Sequence, residues 1–419
     1  MVITMTRKYL IAAFFLLLAW PLMAQQTRSF SEQIHTVRVV MNDDPLLPPV
    51  APLGSRVEIS FDDFSHTYTR YIYKVEFCQA DWTPVTDLFE SDWLEGFNER
   101  PIEDYETSFN TTVLYTHYSF AFPNEDVQLK LPGNYRVQVF VDEKDADDEP
   151  VLEACFSLYY PEMKIAAQVS TNTDLDFNQK HQQVSYSVGY GSRQVVDPQR
   201  ELKTVVMQNR RWDTAVINLP PNIQTAVGAE WNHRRDLIFD AGSEFHKFEI
   251  LDVHRNGMNV DHIAWIEGSY HATLFPVSPQ RNYTSDEDVN GNYVIRHSGD
   301  EDNDIECEYV FVHFLLQTPR LPGGDVYVCG LWTDGFPDPR CKMHYDESQQ
   351  SYECGLLLKQ GYYNYQFRQL EEEKGRTART EGDFYQTENE YIILVYHRPQ
   401  GARYDALVGY QKLTAHGTN

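Results

Sequence analysis

Apolar and polar residues alternate with a period of two through most of this chain, and that period belongs to strands. Val57, Ile59 and Phe61 alternate with polar neighbours, and Tyr71, Tyr73, Val75 and Phe77 repeat the pattern soon after. Tyr135, Val137, Val139 and Val141 follow the turn Pro132-Gly133-Asn134. Helical spacing of apolar residues is hardly sustained anywhere. Short strands punctuated by turn residues predict an all-β chain of tandem sandwiches, not an α/β fold.

Leu131-Pro132-Gly133-Asn134-Tyr135, leading into the valines, has the form of the tyrosine corner of immunoglobulin- and fibronectin-like sandwiches. There the ring hydroxyl bonds back to the chain just upstream. A first, fibronectin-like sandwich is expected over residues 25–161, ending at Tyr160-Pro161. The acidic run 142–149 falls between two strand patterns and reads as a solvated hairpin loop. A middle β domain is expected over residues 162–304, with strands near Ile165 and at 184–188, 204–208 and 246–251. Residues 299–306 have loop composition and form the expected linker. The C-terminal sandwich, residues 305–419, opens with 309–316, apolar on both alternating faces as in a central strand. Strands at 325–331, 352–358, 362–368 and 391–396 are expected to complete it.

The amino-terminal residues read as an export leader. Arg7 and Lys8 precede an apolar stretch, 9–20, that is too short to span a bilayer. Leu22-Met23-Ala24 then offers a small residue for cleavage before Gln25. No cysteine follows the stretch, which argues against a lipid anchor. Removing residues 1–24 takes two positive charges with it, so a formal charge of −27 becomes −29. Such a charge repels nucleic acid and anionic head groups alike, and favours a protein partner with a basic or polar surface. No later segment is long and apolar enough for insertion into a membrane.

The cysteines are Cys78, Cys155, Cys307, Cys329, Cys341 and Cys354. None forms a C-x-x-C pair, so zinc-ribbon and thioredoxin-like readings have no support. In an exported chain disulfides are plausible, and Cys341 and Cys354, flanking a turn-like polar stretch, are the best local pair. Buried free thiols are the alternative.

Catalytic signatures are missing: there is no G-x-S-x-G elbow, H-E-x-x-H, Walker A loop or G-x-G-x-x-G. Histidines are scattered singly, and no carboxylate pair stands out among many. A non-catalytic chain without cofactor or metal is expected. Asp286-x-Asp288-x-Asn290-Gly291 matches the first half of an EF-hand calcium loop. Its twelfth position, however, is His297 where a glutamate is required, and Asn-Gly is itself the preferred pair of a tight turn. The turn reading is preferred. Residues 326–332, ending Gly330-Leu331-Trp332, and the later Gly361-Tyr362-Tyr363-Asn364-Tyr365 resemble early-set sandwiches that bind glycogen and starch. Trp332 is the one aromatic placed to stack on a sugar, or else it is core.

Taken in order, the motifs resemble the plug-protein family of the type IX secretion system over nearly the whole chain after the leader. In the first domain the resemblance rests on Tyr73, Cys78, Ala80-Asp81-Trp82, Gly96, Ser108-Phe109-Asn110-Thr111, Tyr115-Thr116-His117-Tyr118 and Gly133-Asn134-Tyr135. The middle contributes Gln208-Asn209-Arg210-Arg211-Trp212 and Gly242-Ser243-Glu244-Phe245. Asp288-x-Asn290-Gly291, Val312-His313-Phe314 and Lys359-Gln360-Gly361-Tyr362-Tyr363 follow. Thr387-Glu388-Asn389-Glu390-Tyr391, Val395-Tyr396-His397-Arg398 and Arg403-Tyr404-Asp405-Ala406-Leu407-Val408-Gly409 close the series. One departure stands at His246, where the family favours arginine.

The resemblance implies a periplasmic protein on the inner side of the outer membrane that binds and seals the translocon β-barrel of that system. A carbohydrate-binding envelope protein using the C-terminal sandwich is the competing expectation. Which residues touch a partner is not legible.

Overall fold

The computed structural model describes residues 25–142, 149–299, 302–333, 335, 337–371 and 376–415. The expected leader, residues 1–24, lies outside them, as do residues 143–148 of the acidic run.

Alternation becomes sandwich directly in the first unit. Its strands are β1 (Ile34–Met41), β2 (Val57–Asp63), β3 (Tyr71–Cys78), β4 (Thr116–Phe122), β5 (Gly133–Val141) and β6 (Leu152–Tyr159). One sheet runs Arg28–Ser29, β6, β5, β3, Arg100–Pro101; the other runs β1, β2, β4, Asp104–Thr107. Tyr71, Tyr73, Val75 and Phe77 face inward from β3, and Ile59, Phe61, Tyr118 and Phe122 meet them from the opposing sheet. The corner forms as expected: the Tyr135 hydroxyl donates to the Leu131 carbonyl at 2.6 Å. Gly133 is required beside it, since a Cβ there would sit 2.6 Å from the Phe77 ring.

Beyond residue 161 the sheets depart from the expected division. The second unit begins with β7 (Lys164–Ser170), β8 (His181–Gly189), β9 (Leu202–Gln208) and β10 (Gly228–Trp231). The chain then leaves it and builds a third unit from β11 (His246–Ile250), β12 (Val260–Ile266), β13 (Ser269–Leu274), β14 (Tyr309–Gln317), β15 (Ser351–Lys359) and β16 (Gly361–Glu371). It finally returns, with β17 (Asn389–His397) and β18 (Ala406–Ala415). β9 pairs with β17 from Leu202↔His397 to Gln208↔Tyr391, and β17 pairs with β18. In the third unit β16 carries β11, and β12-β13-β14-β15 form a second sheet ending at His344–Asp346.

The expected boundary between residues 304 and 305 is therefore corrected: β11, β12 and β13 belong with β14–β16, and β17–β18 belong with the second unit. The reason is that strand pairing is chosen by distant partners, which local alternation does not identify. The expected linker, 299–306, is corrected too: the short helix Asn303–Glu306 within it packs against the first unit, as described below.

The cysteines are buried and none is in a disulfide, so the expected Cys341–Cys354 bridge is not formed. Cys341 and Cys354 lie in the core of the third unit, and the Cys354 thiol meets the Arg340 carbonyl at 3.9 Å. Burial pushes the thiols of Cys78, Cys307 and Cys329 up to about 12 and that of Cys354 to about 11, which holds them protonated and unreactive.

Replacing Tyr135 by Phe removes only the corner's hydrogen bond. It is expected to cost about 1 kcal/mol in urea denaturation with the strand content unchanged by circular dichroism.

Candidate functional site

The chemistry-bearing residues converge on the seams between the units. The tail of β2 supplies Asp62, β4 supplies His117, and β14 and β15 supply Tyr309 and Lys359. Lys359 closes a strand otherwise apolar through Leu356-Leu357-Leu358, and its ammonium is buried, so it requires an anion. That anion is Asp62 of the first unit. Lys359 Nζ donates to Asp62 Oδ2 at 2.7 Å, the Tyr309 hydroxyl donates to the same oxygen at 2.6 Å, and His117 Nδ1 lies 2.6 Å from Oδ1. Tyr309 gives its proton to Asp62, so the Thr36 hydroxyl donates to Tyr309 in turn. Burial alone would raise the Asp62 carboxyl, but the Lys359 and His117 charges outweigh it and hold it well below the usual carboxylate range.

The helix at Asn303–Glu306 and the residues after it complete the seam. Asp304 pairs with Arg38 of β1 at 2.5 Å, and its carbonyl accepts from Lys359 at 2.7 Å. Glu308 accepts from the Thr112 and Val113 amides at 2.5 and 3.1 Å, clamping the loop before β4. The Lys359 ammonium also stands 4.2 Å over the Tyr115 ring. Asp62 and Lys359 side chains are each 1% exposed, so this constellation admits no substrate and acts as a weld.

A second seam joins the first and second units. Leu394, Tyr396, Val205 and Met207 turn outward from their own sandwich onto Ala80 and Tyr159, while Ile393, Val395 and Val206 face inward. Strands apolar on both faces are thus sandwiched twice. Tyr396 donates to Asn134 at 2.9 Å; Asp405 accepts from the Ala80 amide at 3.1 Å and from Lys203 at 2.8 Å. Arg210 reaches from the second unit to the Leu46 carbonyl at 2.6 Å, and Asn292 of the third reaches it at 3.1 Å.

The calcium-like residues are committed elsewhere. Asp286 pairs with Lys247 at 2.7 Å, and Asp288 accepts from the Phe245 and Asn290 amides at 2.5 and 2.7 Å. Asn290 and Gly291 both have positive φ, 52° and 88°, and the Asn292 amide closes the turn on the Val289 carbonyl at 3.1 Å. Among the described residues no cluster of three or more His, Cys, Asp or Glu is arranged to hold a metal. Trp332 is half-buried against Phe314, its indole donating to the Asn364 carbonyl at 3.0 Å, so the ring packs on the core of the third unit. His246, where the family-like pattern favours arginine, stands 3.3 Å from Glu381, so the position still faces a carboxylate.

Sequence reasoning did not find the exposed apolar side chains. Phe109 (59% exposed) and Leu114 (48%) project from the loop that Glu308 clamps. Trp265 (54%) and Ile266 (47%) crown the hairpin between β12 and β13, and β12 is an edge strand. No helix among the described residues is long and apolar enough to cross a membrane.

Lys359→Met leaves the buried Asp62 charge without its ammonium partner, held only by Tyr309 and His117, and is expected to destabilise the protein by about 3–5 kcal/mol. The double variant with Asp62→Asn should regain most of that loss in the same denaturation series. A depressed carboxylate stabilises the fold above its unfolded pKa and ceases to do so as pH falls. Acid unfolding of the native chain is therefore expected to begin below about pH 4 and to be shallower in the double variant, followed by circular dichroism.

Residues 34–160 match the family model for the type 9 secretion system plug protein 1st domain. Comparison with curated proteins gives no match. Among solved structures, the crystal structure of a hypothetical protein from Parabacteroides merdae superimposes with a TM-score of 0.89. The two sequences are 38% identical over 93% of this chain and 99% of that one.

Proposed function

The chain belongs to the type 9 secretion system plug proteins, which gives it a role in type IX secretion and a place in the envelope, and from that premise we propose that it binds and seals the system's outer-membrane translocon barrel from the periplasmic side. It does so as a non-catalytic body. The observation that carries this reading is the buried Asp62–Lys359 weld, which makes a rigid stopper from units that would otherwise move against one another. The buried cluster of Asp62, His117, Tyr309 and Lys359 is spent on that weld, which fits a mechanical role better than a chemical one.

Binding uses side chains held out by rigid elements: Phe109 and Leu114 on the clamped loop, Trp265 and Ile266 on the β12–β13 hairpin. Apolar anchors of this kind supply most of the energy of a protein interface. The acidic surface keeps the body from anionic head groups while it docks on the barrel.

The test is reconstitution. The protein should co-purify with the translocon barrel and abolish ion conductance through it in planar bilayers. Phe109→Glu or Trp265→Glu is expected to weaken binding about tenfold or more with the melting temperature unchanged. A barrel that conducts equally with and without the protein refutes the sealing role.

A further inference from the structure

Where the three units meet they leave a cavity of about 130 Å³. Phe156 of the first unit, Leu394 of the second and Ile295 of the third line it, and so do Gln25 and Thr27. These two lie on the run that leads into the first sandwich and is pinned to it. The Cys155 amide donates to Thr27 Oγ1 at 3.1 Å, and the Cys155 thiol meets the Gln26 carbonyl at 3.7 Å. Arg28 and Ser29 then pair with Glu153 and Leu152. Gln25 is 5% exposed and Gln26 8%. The residue that follows the expected leader cleavage is thus buried where all three units converge.

The formal charges in the cavity wall are of one sign. Arg38 and Arg210 line it, Cys155 and Tyr293 are its other titratable groups, and no Asp or Glu is among the lining residues. Both arginines are already paired, with Asp304 and Glu390. Glu153, two residues before Cys155, takes Arg28 at 3.7 Å and the Gln138 amide at 2.9 Å. Cleavage before Gln25 creates an α-amine, an ammonium below about pH 8. Burying an ammonium is costly, and guanidinium groups nearby disfavour it further.

Glutamine can remove this charge by itself. Its α-nitrogen attacks the side-chain Cδ, the N–Cδ bond forms and the Cδ–Nε2 bond breaks. The side-chain nitrogen takes the proton that the α-amine gives up and leaves as ammonia. The product is a small uncharged lactam, and Thr27, Ser157 and Asn292 give the wall polar groups suited to its N–H and C=O.

We propose that Gln25 is a modification site: it is the first residue of the processed chain and is cyclised to pyroglutamate, which seats an uncharged amino terminus in the junction of the three units. The proposal rests on the expected leader cleavage and is independent of the translocon reading.

Mass spectrometry of protein purified from envelopes is expected to find an amino-terminal peptide that begins at Gln25 and is lighter by one ammonia. Processed chain with uncyclised Gln25 is then compared with the same chain treated with a glutaminyl cyclase while unfolded, both after refolding. The uncyclised form is expected to melt roughly 2–4 °C lower at neutral pH. A buried amine binds fewer protons folded than unfolded, so the deficit should grow as pH falls and vanish above about pH 9. Gln25→Ser, which cannot cyclise, should follow the uncyclised chain at every pH. The proposal is overturned if the native peptide keeps a free Gln25 amine, or if the two preparations melt alike across the pH range. A native chain that begins at another residue overturns it through the cleavage site, and leaves the sealing role standing.

Discussion

A lysine ammonium buried against an aspartate of another unit is the constraint from which the rest of this architecture follows. Neither Lys359 nor Asp62 can stand alone where it is: each loses its water, and only the other, with His117 and Tyr309, compensates. Because the partners come from different sandwiches, the pair forms only when those sandwiches are in one relative orientation. Apolar contact alone tolerates sliding, whereas a two-sided hydrogen-bonded ion pair does not. Glu308, Asp304 and Arg38 extend the same logic along the seam.

The residues by which this chain resembles its family cluster on these seams. Trp82, His117, Asn134, Arg210, Lys359 and Asp405 all take part in contacts between units or line the space where the units meet. What the family-like motifs specify is thus the relative placement of sandwiches. The outward-facing apolar residues lie mostly apart from them, although Phe109 belongs to both groups. A body whose orientation is fixed internally can present side chains on separate units, Phe109 and Trp265, in constant mutual geometry.

The strands were legible because a half-buried strand writes its two faces into the sequence, as Tyr71 to Phe77 do. The corner at Tyr135 was legible because its turn and its tyrosine are local. The discontinuity of the second unit was not. Residues 392–395, Ile-Ile-Leu-Val, announce a strand covered on both sides, but nothing nearby says that β9 is its neighbour. The weld could have been suspected from Lys359, a charge at the end of an apolar run, yet the sequence holds no mark pairing it with Asp62. Carboxylates are too abundant here for charge alone to choose one. The turn at Asn290-Gly291 was legible because it is local, whereas the partners of Asp286 and Trp332, Lys247 and Asn364, lie far along the chain.

The return of the chain to its second unit bears on how the protein is made. A polypeptide delivered amino-terminus first offers β9 long before β17 and β18 exist to cover it. The first sandwich can close at once, and the inserted third can close within its own span. The second must wait with an apolar strand uncovered until β17 and β18 arrive. A fragment lacking β17 and β18 keeps an open, sticky edge on β9, the kind of feature that proteases and chaperones recognise in incompletely folded chains.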